Sequence, residues 1–375
     1  MKIVVAPQAF KGTLSASQAA DAMISGIHSY SNSIQTYKVP LADGGDGTLE
    51  VLSGHLKALP QQSNVMGALG QSHSVPWAIA KEKHLAIIEC AKIFGLGSLK
   101  LEERNPLKAT SFGLGELIKK ALDQGIRTFM IGLGGTATND GGIGMAQALG
   151  ARILDIYGKD LPLGGKSLGS IHTLDLSQMD ARIKDSEFTI ACDVANPLLG
   201  PNGASRVYGR QKGASEKDID LLESGLSHLA TLWEQKLNFD FSSYPKGGAG
   251  GGLGAGCLAF LNGSLEKGFD VICDKTNFKD LLKASDLVIT GEGCLDYQTM
   301  FSKAPQCVAQ IAQNAGVPVA VLAGTLGEGY ESIFECGVVA VCATQKSNQE
   351  SAYKSLELSS KEFIRSLMVS LNSKH

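Results

Sequence analysis

Short β-branched runs alternate with helical patterns at both ends of the chain, and this alternation restricts the possible fold more than any other feature. The runs predicted as buried strands lie at residues 2–6, 286–290, 317–323 and 337–344. The helical patterns lie at 15–29, which opens on Ser15 as an N-cap, and at 303–315 and 349–371. Strand–helix alternation of this kind indicates a parallel sheet in an α/β domain.

The middle of the chain has a different pattern. Further strands are predicted at 129–133 and 188–192, but residues 63–91 resemble a hairpin, "SVPWAIA" and "HLAIIECA" joined by the polar "KEKH". A chain of 375 residues is also too long for one ordinary core. We therefore predict a discontinuous α/β domain at 1–66 plus 282–375 and an inserted α/β domain at 67–281.

Composition excludes several classes of protein. The formal charge of −3 and the lack of a lysine or arginine cluster argue against a nucleic-acid partner. The uncharged stretch 247–265 is long enough to span a bilayer, but 8 of its 19 residues are glycine, so no membrane span is predicted. The N-terminal apolar run is broken by Pro7 and is no signal peptide, which favours a cytoplasmic protein.

Cysteine and histidine give no metal or disulfide pattern. The 8 cysteines contain no C-x-x-C and lie mostly in apolar runs, which predicts buried thiols in a reducing compartment. The 7 histidines are scattered without paired spacing, so no zinc site is predicted.

Glycine is the unusual component of the sequence. The chain has 45 glycines among its 375 residues, a share of about 12%, whereas the usual share is about 7%. They cluster at 44–47, 132–144, 247–256 and 291–293. Because glycine allows positive φ and close approach of the backbone to a ligand, these clusters predict several loops that converge on a binding site.

Two candidate ligand-binding loops near the N-terminus each lie between a strand or apolar run and a helix. In "APQAFKGTLSA", Lys11 is placed to meet an anion, although a solvated lysine before a capped helix fits the local sequence equally well. In "PLADGGDGTLE", Asp46 or Thr48 could cap the following helix, but a cap leaves the other aspartate and most of the glycines unexplained. A ligand-binding loop is therefore favoured. Its candidate residues are Asp43, Gly44, Gly45, Asp46, Gly47 and Thr48.

Three later loops follow predicted strands. "GLGGTATNDGG" offers an anion-binding nest at Gly134, Gly135 and Thr136, without a proper dinucleotide fingerprint. "ACDVANP" places Asp193 and Asn196 where a base or magnesium ligand is expected, with an Asx turn into Pro197 as the alternative. "VITGEGCLDYQTMFSK" supplies the remaining candidates, Glu292, Asp296, Gln298, Thr299 and Lys303.

Together these segments resemble the bacterial glycerate kinases of the family that carries an inserted domain. The resemblance rests on "FKGTLSA", "PLADGGDGTLE", "GLGGTATNDGG", "CDVANPL", "QKGA" and "DLVITGEG", and it extends over essentially the whole chain. Gln8 and Ala9 stand where the family usually has an acidic residue and a serine. The resemblance implies a flavodoxin-like three-layer domain, a second α/β domain, an active site in the cleft between them, and ATP-dependent phosphorylation of D-glycerate.

A kinase of this type needs amide-rich loops, cations, and carboxylates for Mg²⁺ and for base work. We expect Asp193 to be the base, with Lys11 and Asp296 as further catalytic residues. Asp193 and Glu292 are the expected magnesium ligands, and the other candidates would bind substrate or phosphate. ATP and Mg²⁺ are thus the expected cofactors, and a homodimer is left open.

The expected product is 2-phosphoglycerate rather than 3-phosphoglycerate, although the residues alone do not distinguish the two hydroxyls. The alternatives are a kinase of another small hydroxy acid, a phosphosugar isomerase, or an NAD-dependent enzyme that uses similar glycine-rich loops. The isomerase and the NAD-dependent enzyme would need a proton shuttle or a dinucleotide fingerprint, and neither is visible in the sequence.

Overall fold

The computed structural model describes residues 1–300, 304–344 and 349–372. By contacts between Cα atoms the chain divides into unit 1, Met1–Asp43, Glu50–Leu56 and Phe269–His375, and unit 2, Gly44–Leu49 and Lys57–Gly268. The strands are β1 Lys2–Val5, β2 Gln35–Lys38, β3 Leu59–Met66, β4 Ser72–Ala80, β5 Leu85–Glu89, β6 Thr128–Gly132, β7 Arg152–Leu154, β8 Thr173–Asp175, β9 Glu187–Ala191, β10 Ser264–Glu266, β11 Leu287–Leu295, β12 Val319–Leu326 and β13 Val338–Ala343. The α-helices are α1 Ala16–Tyr30, α2 Thr48–His55, α3 Cys90–Phe94, α4 Phe112–Asp123, α5 Ile143–Ala148, α6 Ala204–Tyr208, α7 Glu216–Leu237, α8 Ala249–Leu261, α9 Gly268–Lys275, α10 Phe278–Leu282, α11 Ala304–Asn314 and α12 Gln349–Asn372.

Unit 1 is built on a five-stranded parallel sheet. Its strand order is β13-β12-β11-β1-β2, and every neighbouring pair is parallel. Read from the β2 edge, the order is β2-β1-β11-β12-β13. If the five strands are renumbered 1 to 5 along the chain, this becomes 2-1-3-4-5, the order of flavodoxin-like folds. The α/β fold class predicted from the sequence is therefore confirmed, and all four predicted strands of this sheet are present. β2 was not predicted, because its four residues are half exposed and carry no apolar run.

Helices cover both faces of this sheet, which makes unit 1 a three-layer structure. Val4 packs on one face with Phe269 and Val308, and its neighbour Val5 packs on the other face with Met23 and Ile364. Alternate residues of one strand thus enter different cores, as a strand buried on both faces requires. Helix α1 begins at the predicted N-cap, because Ser15 Oγ accepts from Gln18 N in a capping box.

Unit 2 contains a six-stranded mixed sheet of order β10-β9-β6-β5-β4-β3 and a two-stranded sheet β7-β8. The pairs β3–β4 and β4–β5 are antiparallel. The pairs β5–β6, β6–β9 and β9–β10 are parallel. The predicted hairpin is the pair β4–β5. The strands predicted at 129–133 and 188–192 are β6 and β9.

The contact-based units and the predicted domain boundaries differ in three segments, because residues 44–49 and 57–66 belong to unit 2 and residues 269–281 belong to unit 1. Strand β3 pairs with β4 along its whole length, and this pairing assigns residues 59–66 to unit 2. Helices α9 and α10 bury Phe269, Cys273, Phe278 and Leu282 in a core of unit 1, so residues 269–281 belong there. The predicted domain boundaries and the predicted cleft stay predictions.

The composition predicted no membrane span and mostly buried cysteines. In the part of the chain that the structure describes, no helix combines the length and apolar character needed to cross a membrane. Six cysteines are buried free thiols, as predicted, whereas Cys294 is exposed and Cys342 is half-buried.

Candidate active site

The strand order of unit 1 reverses at β1, which lies between β2 and β11. In parallel α/β sheets, ligands bind outside the carboxyl ends of the strands at such a switch point. A pocket of about 530 Å³ lies in unit 1, and its lining includes residues that follow β1 and residues near the end of β11. Its lining residues are Gln8, Ala9, Phe10, Lys11, Thr13, Leu14, Asp43, Glu292, Gly293, Cys294, Gly324, Thr325, Thr344, Ala352 and Leu356.

Lys11 stands at the tip of a tight turn that follows β1. Phe10 N donates to Leu14 O at 2.9 Å, and Leu14 N donates to Phe10 O at 3.0 Å, which closes the turn. Gly12 within it has φ +80°, a conformation that glycine adopts without steric cost. Lys11 is exposed, and in the described ranges it forms no ion pair of 4 Å or less. The turn therefore presents its ammonium group to the pocket.

Asp43 is held beside Lys11's turn by a residue that the sequence did not single out as functional. Gln8 Nε2 donates to Asp43 Oδ2 at 2.5 Å, and Gln8 N donates to Gly291 O at 2.8 Å. Gln8 is 6% exposed, so this amide is fixed among packed neighbours. The contact orients the Asp43 carboxylate in the pocket.

Glu292 reaches the same pocket from β11 and is only 6% exposed. Thr299 Oγ1 donates to Glu292 Oε1 at 2.6 Å, and Asp296 N donates to Thr299 Oγ1 at 3.2 Å, so the turn after β11 holds the carboxylate. The glycine before Glu292 is required by packing, because a Cβ at Gly291 would stand 2.0 Å from Leu322 O.

Among the sequence candidates of unit 1, the pocket brings together Lys11, Asp43 and Glu292. Asp296 and Thr299 belong to the turn that supports Glu292. Lys303 and the side chain of Gln298 lie outside the described residues. The catalytic and binding roles of all these residues stay predictions.

The other candidates belong to unit 2, where the glycine loop 44–47 packs on the carboxyl end of β6. A Cβ at Gly134 would stand 2.5 Å from Gly45 Cα, and a Cβ at Gly132 would stand 2.7 Å from Gly44 O. The sequence predicted that both loops bind an anion through their amides. In the structure their backbones lie against each other, and Gly134 N donates to Gly44 O at 3.4 Å.

Glu89 caps the helix that follows this loop, and sequence reasoning did not single it out. Its Oε2 accepts from Leu49 N at 2.9 Å at the start of α2, so neither Asp46 nor Thr48 is the cap at this amide. Glu89 is 1% exposed at the end of β5, and burial raises the pKa of its carboxyl group. A single charge at the end of the apolar run "LAIIE" is the signal that could have identified it.

Asp193 and Asn196 follow β9. Asp193 is half-buried two residues beyond the end of the strand. Asn196 has structural partners on both sides of its amide, because its Nδ2 donates to Asn202 O at 2.8 Å and Tyr208 OH donates to its Oδ1 at 2.8 Å. These bonds hold the loop after β9 in shape.

Lys212 is a buried cation in the segment "QKGA" and was not among the predicted site residues. It is 3% exposed, and its Nζ donates to Thr138 O at 2.7 Å in the loop after β6. Burial lowers the pKa of Lys212 to about 8, with Asp140 acting in the opposite direction. Asp140 accepts from Ser111 N and Gly142 N, at 2.7 and 3.1 Å, so this acid of the glycine-rich loop is a structural anchor.

Comparison with known proteins agrees with the resemblance seen in the sequence. The model of the glycerate kinase family matches residues 3–368. A glycerate kinase of Halalkalibacterium halodurans is 42% identical over 336 residues, which cover 90% of this chain and 88% of the relative. A glycerate 2-kinase of Escherichia coli is 42% identical over 341 residues, which cover 91% of this chain and 90% of the relative.

A solved structure from Salmonella typhimurium LT2, assigned provisionally as glycerate kinase 2, has a TM-score of 0.89 and 37% identity and covers 99% of both chains. These relatives support glycerate kinase activity rather than an isomerase or an NAD-dependent reaction. Since the family model extends over almost the whole sequence and relatives share about two fifths of its residues, the chain belongs to the glycerate kinase family.

Proposed function

We propose that the chain transfers the γ-phosphoryl group of ATP, with Mg²⁺, to the 2-hydroxyl of D-glycerate. The observation that carries this proposal is the pocket at the switch point of unit 1, which groups one exposed cation, Lys11, with two carboxylates, Asp43 and Glu292. The choice of the 2-hydroxyl is supported by the E. coli relative, which is named a glycerate 2-kinase.

Lys11 is the cation of this pocket. Phosphoryl transfer depends mainly on positioning and on neutralising charge spread over the phosphate oxygens. A lysine ammonium is a compact point charge on a flexible stem, which suits contact with phosphate. The tight turn Phe10–Leu14 limits the backbone freedom of Lys11, so the flexible side chain starts from a fixed point at the pocket.

The pocket also offers ligands that suit Mg²⁺. This ion prefers oxygen ligands and is usually held by one or two carboxylates together with substrate phosphates. Within the described ranges, no three His, Cys, Asp or Glu side chains form a group that could hold a metal ion, so the fit rests on Asp43 and Glu292. Bound Mg²⁺ would neutralise charge on the phosphates. Asp193 as a second metal ligand stays a prediction.

Asp193 is proposed as the general base. It follows the carboxyl end of β9, the place where catalytic residues of parallel sheets lie, and a carboxylate can accept the proton of the acceptor hydroxyl. Asp296 remains a proposed catalytic residue. The proposed substrate or phosphate contacts are Asp46, Asn196, Gln298, Thr299, Lys303 and the amides of the loops at 44–48 and 134–136.

Phosphorus NMR of the product tests the proposal directly. The enzyme is incubated with D-glycerate, ATP and Mg²⁺, and the proton-coupled spectrum of the new ester is recorded. Phosphate on the 2-oxygen couples to one neighbouring C–H proton and gives a doublet, whereas phosphate on the 3-oxygen couples to two and gives a triplet. A triplet would contradict the 2-position, and turnover only with a donor other than ATP would contradict the ATP assignment.

Removal of the metal gives the second arm of this experiment. Turnover should stop when EDTA is added in excess and should return on addition of Mg²⁺. Full turnover in EDTA would exclude the metal from the reaction.

A further inference from the structure

The pocket of unit 1 extends along the whole carboxyl edge of its sheet. Each of the five strands has at least one lining residue after its carboxyl end or near it. These residues are Asp43 after β2, Gln8 after β1, Glu292 in β11, Thr325 near the end of β12 and Thr344 after β13. Neighbouring strands are about 4.8 Å apart, so four spacings give a length of about 19 Å. A three-carbon acid fills only a small part of this length, whereas a nucleoside triphosphate in an extended conformation matches it.

The two ends of the pocket differ in chemistry. Lys11, Asp43 and Glu292, the charged residues of its lining, lie at the β2, β1 and β11 end. The β12 and β13 end is lined by Thr325, Thr344 and the apolar face of α12 at Ala352 and Leu356. A charged end beside an uncharged, partly apolar end fits a ligand with a phosphate chain at one end and a base and sugar at the other.

The hydroxyl groups at the uncharged end are only weakly bound within the protein. Thr325 Oγ1 lies 3.5 Å from Gly293 O, and Thr344 Oγ1 lies 3.5 Å from Gly324 O. Both distances are at the limit of a hydrogen bond, so either hydroxyl can turn to a ligand at little cost. D-glycerate has no apolar part that would use the surface of Ala352 and Leu356.

We propose that this pocket binds ATP lengthwise, with the phosphate chain at the β1/β11 end and the nucleoside between β12, β13 and α12. The proposal rests on the proposed function and makes it more specific, because it assigns the nucleotide rather than glycerate to unit 1. Lys11 and the carboxylates Asp43 and Glu292 then serve the phosphates and their metal, and Thr325 and Thr344 serve the nucleoside.

Substitution of Ala352 by a larger side chain tests the assignment. Ala352→Phe places a ring at the nucleoside end and should raise KM for ATP about tenfold or more, while KM for D-glycerate stays within about twofold. The affinity for ADP, measured by calorimetry without glycerate, should fall by a similar factor. Ala284→Phe, at an exposed position of the same unit outside the pocket, is the matched control and should change none of these quantities.

A second variant keeps the test valid if Ala352→Phe does not fold. Thr325→Val preserves volume, removes one hydroxyl, and should weaken ADP binding about three- to tenfold. If Ala352→Phe raises KM for glycerate and leaves that for ATP unchanged, the pocket takes the acceptor and the assignment is wrong. If neither variant changes either KM or ADP binding, the uncharged end of the pocket holds no nucleoside and the assignment is wrong.

The unmodified enzyme separates this proposal from the proposed function. Failure of the unmodified enzyme to use ATP contradicts the proposed function itself. Use of ATP by the unmodified enzyme, with unchanged nucleotide affinity in both variants, contradicts only the location of the nucleotide.

Discussion

The proposed base role of Asp193 rests on its carboxylate and on its position after β9. Asp193→Asn keeps the shape and removes the proton acceptor, so kcat should fall by about 10²- to 10⁴-fold. The thermal unfolding midpoint should change little. Steady-state kinetics and circular dichroism of the purified variant measure the two quantities.

The control for this variant lies at the other end of the same strand. Asp185 is exposed and precedes β9, so Asp185→Asn removes a carboxylate without touching the carboxyl end of the sheet. It should retain full activity. Near-normal kcat in Asp193→Asn would remove Asp193 from the base role.

Lys212 gives a prediction about the pH dependence of stability. Burial lowers its pKa from 10.5 to about 8, so the unfolded chain keeps this proton to higher pH than the folded chain does. The free energy of unfolding should therefore rise between pH 8 and 10.5 by up to roughly 3 kcal/mol, and this gain is lost again as the pH falls to 8.

Urea unfolding of wild type and Lys212→Met, at pH 7.5 and at pH 10, isolates this contribution, because other titrating groups are common to both proteins. The stability advantage of wild type over the variant should increase with pH. Lys283→Met, at an exposed lysine, should show no such change. A difference independent of pH would mean that Lys212 keeps an ordinary pKa in the folded state.

At the scale of elements, the contact between α1 and α12 depends on a glycine. A Cβ at Gly26 would stand 2.1 Å from Glu357 O and 2.8 Å from Ser360 Cβ. The backbone oxygen cannot rotate away, so Gly26→Ala must separate the two helices and should cost about 1–3 kcal/mol in the free energy of unfolding.

The matched control is Gly54→Ala in α2, where a Cβ would meet nothing within 4 Å. That variant should be neutral or more stable by up to about 1 kcal/mol, because alanine loses less entropy in a helix. Unchanged stability of Gly26→Ala in urea unfolding, or destabilisation of Gly54→Ala to the same extent, would show that the α1–α12 contact does not decide the effect of Gly26→Ala.

Elements also show where sequence reasoning reached its limit. The pattern at 15–29 identified α1 and its cap, because Ser15 and Gln18 are neighbours in the chain. The cap of α2 could not be identified in this way, because Glu89 lies 40 residues along the chain from Leu49, whose backbone N–H donates to it. Local signals predict local caps, and a cap from a distant strand depends on the packing of the sheet.

At the scale of the whole molecule, the chain passes between the two units at 43/44, 49/50, 56/57 and 268/269. The sequence predicted the discontinuity from the strands at both ends of the chain. It could not predict that residues 44–49 join unit 2, because this follows from a close approach of glycine backbones. A Cβ at Gly134 or Gly132 would stand only 2.5 or 2.7 Å from the loop at 44–45, and contacts of that kind leave no periodic pattern. The oligomeric state and the cellular location stay predictions.

Residue patterns alone predicted the α/β class, four of the five strands of unit 1, its helices α1, α11 and α12, and the loops rich in glycine and acid, because hydrophobic period and residue chemistry are local properties. That Lys11, Asp43 and Glu292 share one pocket follows from the tertiary packing, since the order β2-β1-β11 joins segments about 250 residues apart. That packing also decided which charges are buried, as for Glu89 and Lys212. Burial is set by what packs around a side chain, and the residue's own neighbours in the sequence do not reveal it.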